Sequence, residues 1–150
     1  MVEAWRTFHS GDVPPRLVRP TRTALRELSV RVDSREREKV RPASIDVSYA
    51  TNDLELRYQP VVDIDLIRFE LWARRTIVDA SAGSIGGVRS DQVTLEWIRD
   101  RIALTMDPVT RTRIDTLVGG LGAAAADGDL GAARSVSVEL HRVVNGVIAN

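Results

Sequence analysis

The spacing of apolar residues changes along the chain, and this change constrains the fold more than any other feature. Between residues 45 and 74 large apolar side chains tend to fall at every second position, as in a strand with one buried face. Beyond residue 91 the spacing becomes three to four residues, which is typical of amphipathic helices. The two patterns together predict an α+β fold. The alternating positions are Ile45, Val47, Tyr49, Leu54, Leu56, Tyr58, Ile67, Phe69 and Leu71.

The alternating part is predicted to form a small antiparallel β-meander over about residues 45–80. Its first two strands are joined by Thr51-Asn52-Asp53, whose asparagine and aspartate are typical of turns, and Pro60 ends this hairpin. Residues 64–78 can be interpreted as a strand or as a helix capped by Asp65. Their apolar side chains scatter widely around a helical wheel, which favours the strand.

The C-terminal part, about residues 91–148, is predicted to form a segment of three helices. The second helix begins where Asp107 can cap and Pro108 suits the first helical position, and the third begins at Asp129. A glycine-rich linker, residues 81–90, precedes the three helices. The residues of the first helix that are expected to face the core are Val93, Trp97, Ile98 and Ile102.

The N-terminal part is predicted to be an extended arm, residues 1–20, followed by a single α+β domain, residues 21–150. Prolines in the arm lack a backbone N–H and bias their neighbours towards extended conformations. The β part of the domain is placed at residues 28–80, after a short helix that begins near Thr21. The prolines of the arm are Pro14, Pro15 and Pro20.

The composition excludes several classes of site. The chain has no cysteine, so it has no disulfide framework, no thiolate metal cage and no cysteine nucleophile. It has no apolar run of the length that a membrane helix needs, and its first seventeen residues lack the apolar core of a signal peptide. We therefore expect a cytoplasmic protein, or a virion protein if a phage encodes it.

The charge is balanced overall but unevenly distributed. Residues 1–45 carry ten basic and six acidic side chains, whereas residues 46–80 carry four basic and seven acidic ones. Twenty of the 21 basic residues are arginine, a bias typical of a GC-rich bacterial genome or of its phage. This polarity favours contacts between a basic front and an acidic partner surface.

One stretch resembles the opening of a known enzyme family. Tyr58-Gln59-Pro60-Val61-Val62-Asp63 is followed by Glu70 and Arg74, and the run is similar to the first two strands of EAL-type cyclic-di-GMP phosphodiesterases. Glu70 and Arg74 keep the spacing of the family's Glu and Arg, although the link between the two strands is shorter than in the family. The resemblance covers about 21 residues and implies Glu70 as a metal ligand. The rest of the chain does not supply the family's later acidic pairs. It also lacks the family's catalytic lysine, since no lysine follows Lys39. The resemblance therefore implies at most a degenerate, cyclic-dinucleotide-binding relative of the family.

Other chemistry-bearing residues fit ordinary structural roles better than catalytic ones. Asp63 and Asp65 would share one face of a strand, where paired carboxylates more often form a solvated edge than a metal site. The segment Gly83–Gly87 lacks the spacing of a phosphate-binding loop. His9 and His141 have no recognisable nucleophile and orienting partner. We therefore predict no catalytic residue, no metal, no cofactor and no small-molecule substrate.

The arginine-rich N-terminal third is the strongest candidate for a binding role. We predict a non-enzymatic bacterial or phage assembly or adaptor protein that acts through protein–protein contacts and self-associates into a homo-oligomer. The alternative is a nucleic-acid-binding accessory protein that uses the basic segment 16–41. The predicted partner-binding residues are Trp5, Phe8, Arg16, Arg19, Arg22 and Arg26, and those of the alternative are Arg31, Arg35, Arg37, Lys39 and Arg41.

Overall fold

A computed structural model describes residues 13–149, and all regular secondary structure in that range is helical. Six α-helices follow one another, with one short 3-10 turn, Ala103–Thr105, between the fourth and fifth. None of the helices within the described range is both long and apolar enough to cross a membrane. The helices are α1 (Pro15–Asp33), α2 (Arg37–Glu55), α3 (Val61–Ser81), α4 (Ile85–Ile102), α5 (Pro108–Asp127) and α6 (Leu130–Ile148).

The chain divides into two compact units between Tyr58 and Gln59. Among its described residues, the first unit is a hairpin in which α1 packs along α2. Proline at the start of α1 is well placed, because its fixed φ suits the first helical turn and its missing N–H would be unbonded there. The helices turn at Ser34–Glu36, where Arg35 has a φ of 56° in the left-handed region. The turn therefore makes α1 and α2 antiparallel neighbours.

The second unit is a four-helix bundle built from α3 to α6. Helix α3 packs against α4 and α6, and α5 packs against the same two helices, so each helix has two neighbours. Short connections between consecutive helices favour this antiparallel order. Its core includes the fully buried residues Phe69, Ala73, Val88, Leu95, Ile102, Ile114, Leu121, Ala133, Leu140 and Val144.

The predicted β-meander, and with it the α+β fold class, is wrong. The run that alternates from Ile67 to Ala73 lies within α3, which buries Phe69, Leu71 and Ala73. Because α3 packs against two neighbouring helices, its buried surface is wide and its apolar residues spread around much of the helix. Over a few residues, a broad apolar helix face that is interrupted by polar residues gives the same alternating pattern as a strand.

The predicted hairpin over residues 45–59 is also wrong. Thr51-Asn52-Asp53 lies inside the last turns of α2, and Asn52 is buried at 4% exposure. The chain turns after Leu56 instead, and Pro60 precedes the first residue of α3. The start of the predicted β part, from Leu28 to Val32, likewise lies in α1. Residues with turn and strand preferences are tolerated in these helices because packing overrides weak local preferences.

The helix starts near the C-terminus were predicted correctly. Oδ1 of Asp107 accepts hydrogen bonds from the backbone N–H groups of Val109 and Thr110, and Oδ1 of Asp129 accepts one from Ala132. These contacts confirm the two aspartate caps. The predicted linker 81–90 is wrong over most of its length, because α4 already begins at Ile85.

The core face predicted for the first of the three C-terminal helices, which corresponds to α4, is only half correct. Ile98 and Ile102 are buried, but Val93 and Trp97 are 62% and 61% exposed. Arg101 stacks over the ring of Trp97 at 4.8 Å from its centroid. A guanidinium stacked on an indole face explains how this large side chain is kept near the surface.

Candidate interaction surface

Four of the predicted partner-binding residues form one exposed row on α1. Arg16, Arg19, Arg22 and Arg26 recur every three to four residues, so they lie on one side of the helix, and all four are exposed. No acidic residue occurs between Pro15 and Arg26. The positive end of the helix dipole adds to this charge, since the first turn holds no carboxylate. We call these four residues the arginine row.

The row differs from the basic residues that follow it. Arg31 donates hydrogen bonds to Glu27 and Glu36, and the Glu27 carboxylate raises the pKa of Arg31. Lys39 lies 2.6 Å from Glu36 and lowers the pKa of that carboxyl. Within residues 13–149 no hydrogen bond or ion pair engages the guanidinium groups of the arginine row.

The remaining basic residues of the nucleic-acid alternative lie apart from the row. Arg35 occupies the turn between the helices, and Arg37 and Arg41 are exposed on α2. Arg31 and Lys39 are already paired with acids. The five basic residues of the nucleic-acid alternative therefore do not form one continuous basic face. Trp5 and Phe8, like His9, lie outside the described residues.

A shallow groove of about 620 Å³ runs between the two helices of the hairpin. Its floor and walls include Ala24 and Ala50, and Arg19 stands at its edge. The charged residues of the groove are Arg19 and Glu27 from α1 and two aspartates from α2. The lining residues are Arg19, Pro20, Thr23, Ala24, Glu27, Asp46, Tyr49, Ala50 and Asp53.

Glu70, the metal ligand that the EAL resemblance implies, has a different environment from a strand-end ligand. It is buried on α3, and its Oε1 lies 2.9 Å from Nδ1 of His141 on α6 and 3.8 Å from Nε of Arg74. Tyr58 to Asp63 span a turn and the start of a helix rather than a strand. Within residues 13–149, no three histidine, cysteine, aspartate or glutamate side chains lie close enough together to hold a metal ion. Glu70 therefore joins two helices of the bundle.

The other predicted acidic pair does not come together. Asp63 is exposed in the first turn of α3, whereas Asp65 is buried. Asp65 contacts Arg68 at 3.2 Å and Arg101 of α4 at 2.7 Å. Its carboxylate is thus matched by two guanidinium groups, which is the arrangement that makes a buried charge tolerable.

An acidic pair that the sequence did not indicate links α3 and α4. Asp91 is only 2% exposed and shares a hydrogen bond with Asp79. Burial, followed by the nearby Asp79 charge, raises the pKa of Asp91 to about 7, while Arg75 and Thr76 act in the opposite direction. The two aspartates lie on different helices, so no spacing in the sequence could have paired them.

The buried polar groups offer little to an external substrate. Oδ2 of Asp91 has no solvent contact and no hydrogen-bond partner within the described residues. Ser137 lies one turn before His141 on α6, but it is fully buried and its Oγ is likewise unbonded there. A nucleophile must reach its substrate, so Ser137 and His141 do not form an accessible nucleophile–base pair.

Comparisons with known proteins give no further guide to the function. No protein-family model matches the chain, and neither the curated proteins nor the solved structures contain a significant match.

Proposed function

We propose that this chain is a non-enzymatic assembly or adaptor protein that self-associates by placing the arginine row against an acidic protein surface. The observation that carries the proposal is the row itself, with four exposed guanidinium groups on three turns of α1 and no carboxylate among them. Such a row is costly in isolation, because like charges one turn apart each destabilise a helix by about 0.2–0.5 kcal/mol. An acidic partner removes this repulsion.

The row fits a carboxylate-bearing partner well. Guanidinium groups form paired, planar hydrogen bonds with carboxylates, so a fixed row of arginines can select both charge and spacing. Arg16 and Arg19 are one turn apart, as are Arg22 and Arg26. Two carboxylates on a partner could each be held between two of these arginines.

Nucleic acid is the second candidate, since the same guanidinium groups could neutralise phosphates. The hairpin favours a protein partner for two reasons. No aromatic side chain stands within the row to stack on a base. Arg31 and Lys39, which would extend the basic surface, are paired with acids. We place the protein in the bacterial cytoplasm, or in a virion if a phage encodes it.

The proposal is tested by measuring mass in solution for the full chain and two variants. Arg19→Ala/Arg22→Ala removes half of the row, and Arg134→Ala removes an exposed arginine of α6 as the matched control. Light scattering should show an oligomer for the native chain and the control, and a shift to monomer for the double variant. An oligomer whose mass is unchanged in the double variant would exclude the row as the contact.

Salt distinguishes the two classes of partner. Self-association through the row should weaken as the Debye length falls from about 30 Å at 0.01 M salt to about 3 Å at 1 M. Fluorescence anisotropy with labelled duplex DNA and single-stranded RNA tests the second candidate. Tight, salt-dependent binding by a monomeric chain would assign the row to nucleic acid instead.

A further inference from the structure

We infer that the corner between α3 and α4 works as a pH switch, in which a proton shared by Asp79 and Asp91 holds the first two turns of α4 against α3. Loss of this proton lets those turns open while the rest of the bundle stays folded. We call residues 82–91, which comprise the connection and these two turns, the corner segment. The inference goes beyond the proposed function and does not depend on self-association.

The positions of the two aspartates on their helices bring them together. A β-carbon on Gly87 would overlap Oδ2 of Asp79, so the end of α3 lies against the first turn of α4 there. Asp91 follows Gly87 by four residues and therefore lies one turn further along the same face of α4. The two side chains share a hydrogen bond, which requires a proton on one of the carboxyl groups.

Burial makes this proton necessary for the closed corner. Asp91 is 2% exposed, and its Oδ2 has neither solvent contact nor a hydrogen-bond partner within the described residues. Two adjoining carboxylates repel each other when both are ionised, and burial disfavours the charged form further. Burial first and the Asp79 charge second raise the pKa of Asp91 to about 7. An ionised Asp91 regains its hydration only by leaving α3, so loss of the proton favours an open corner.

The neighbouring helices do not compensate the charge of Asp91. On α3, Arg75 and Thr76 favour its ionised form, but burial and Asp79 outweigh them. On α4, the guanidinium of Arg89 donates hydrogen bonds to the backbone carbonyls of Ala125 and Ala126 at the end of α5. Further along, α5 meets α4 through an uncharged contact, 3.4 Å from Nε2 of Gln92 to the position that a β-carbon on Gly122 would take.

The corner segment is built so that it can open without the rest of the bundle. Its connection to α3 is exposed, and Gly83 there has a φ of 78°. Gly86 and Gly87 occupy the first turn of α4, and glycine is the least favourable residue in a helix after proline. Val88 is the one fully buried apolar side chain of the segment, whereas the rest of α4 is anchored by Leu95, Ile98 and Ile102. Local opening therefore exposes far less apolar surface than unfolding of the bundle does.

The direction of the switch follows from the pKa of Asp91 in its two states. In the open corner Asp91 is solvated and its pKa returns to the ordinary value of about 3.9, whereas in the closed corner it is about 7. The closed state thus holds an extra proton between these values. Its stabilising effect is fully present below about pH 4 and is lost as the pH rises through about 7. The open fraction therefore rises by up to about tenfold per pH unit in this window and levels off above it.

Hydrogen–deuterium exchange of the full chain, resolved by peptide with mass spectrometry, tests the switch. The native protein is compared with Asp91→Asn, which stays neutral and can still donate a hydrogen bond to Asp79. The two are compared at the same pH, because the chemical rate of exchange itself depends on pH. Between about pH 5 and about pH 7.5, amides of the corner segment should lose protection in the native protein by roughly tenfold or more relative to Asp91→Asn. Amides of α6 should keep a constant ratio between the two proteins, and the exposed Asp127→Asn should behave as native.

Two results would overturn the switch. A ratio between native and Asp91→Asn that is the same at both pH values would show that no shared proton holds the corner. A pH-dependent loss of equal size in the corner segment and in α6 would show that the bundle unfolds as a whole. Should circular dichroism show that Asp91→Asn does not fold, Asp79→Asn replaces it. That variant removes the like charge, so its corner must lose less protection over the same pH range than the native corner does, and an equal loss would exclude the pair.

Discussion

The carboxylate of Asp79 on α3 lies directly against the backbone of Gly87 at the start of α4. A β-carbon on Gly87 would stand 2.2 Å from Oδ2 of Asp79 and 2.8 Å from Oγ of Ser84. The Ser84 oxygen accepts the hydrogen bond that caps α4, and Asp79 is the partner of Asp91. Glycine at position 87 therefore allows the two helices to meet with the acidic pair beside them.

Replacing Gly87 by alanine should destabilise the fold. The new methyl group must displace the side chains of both Asp79 and Ser84, which disturbs the acidic pair and the cap of α4, and overpacking of this kind typically costs about 1–3 kcal/mol of unfolding free energy. Gly86→Ala is the matched control, since a β-carbon there meets nothing within 4 Å. The control should stabilise the chain by up to about 1 kcal/mol, because alanine favours helix. Equal urea midpoints for the two variants would contradict the close approach.

The acidic pair predicts how stability depends on pH. Because the folded pKa of Asp91 is about 7 and the ordinary value is about 3.9, the folded state binds an extra proton between these values. The stability that this group contributes is fully present below about pH 4 and is lost as the pH rises through about 7. Asp91→Asn stays neutral, so its melting temperature should gain on the native protein as the pH rises.

The pH effect of Asp91 is large enough to appear in melting temperatures. A gain of about 1 kcal/mol corresponds to about 2–4 °C in a chain of this size, so melting curves at pH 5 and pH 8 resolve it. The exposed Asp127→Asn serves as the comparison for loss of one negative charge. If the difference between Asp91→Asn and the native protein is the same at both pH values, Asp91 does not hold an extra proton.

Glu70 and His141 should be energetically coupled. Their contact of 2.9 Å joins α3 to α6 inside a partly buried site, so removing His141 takes the nearest partner from the Glu70 carboxylate, whose contact with Arg74 is longer, at 3.8 Å. Glu70→Ala should cost about 1–3 kcal/mol of unfolding free energy. A double-mutant cycle with His141→Ala should give a coupling of about 0.5 kcal/mol or more, whereas strictly additive losses would show that the contact contributes nothing.

The same glutamate provides the test of the EAL resemblance. Glu70 lies on a helix and contacts an imidazole, so we expect no heat of binding when cyclic-di-GMP is titrated into the protein with Mg²⁺. Isothermal calorimetry on the native chain and on Glu70→Ala measures this directly. Binding by the native chain that is lost in Glu70→Ala would instead support a degenerate, cyclic-dinucleotide-binding relative of the EAL family.

The contribution of the N-terminal residues can be separated from that of α1. Deleting residues 1–12 removes Trp5 and Phe8 but keeps the arginine row intact. If these aromatics insert into a groove between subunits, the deletion should weaken self-association roughly tenfold or more, since burying such a side chain contributes about 1.5–3 kcal/mol. Trp5→Ala/Phe8→Ala should reproduce the effect. Unchanged dissociation constants for both proteins would remove Trp5 and Phe8 from the contact.

The parts of the fold that were predicted correctly depend on local chemistry. Asp107 before Pro108 and the isolated Asp129 satisfy helix N-termini through hydrogen bonds two to three residues away, so the sequence contains the whole signal. The arginine row was not predicted as a helical feature, because residues 1–20 were expected to be an extended arm and this is wrong from Pro15 onward. Its exposure became visible only when residues 15–33 proved to be one continuous helix.

The parts that were missed depend on packing between distant residues. Phe69 and Leu71 occupy a helix with two neighbours, and its wide buried surface cannot be distinguished from strand alternation over a few residues. Trp97 was expected in the core, but it is 61% exposed and Arg101 stacks over its ring. The pairing of Asp79 with Asp91 follows from the contact between α3 and α4, which no local pattern specifies.

The mass of the full chain in solution tests the central claim most directly. We predict at least twice the 16.6 kDa of the chain at low ionic strength, and a return towards 16.6 kDa at high salt and in Arg19→Ala/Arg22→Ala. Sedimentation equilibrium over a range of protein concentrations measures both. A mass of 16.6 kDa at every protein and salt concentration would contradict the account.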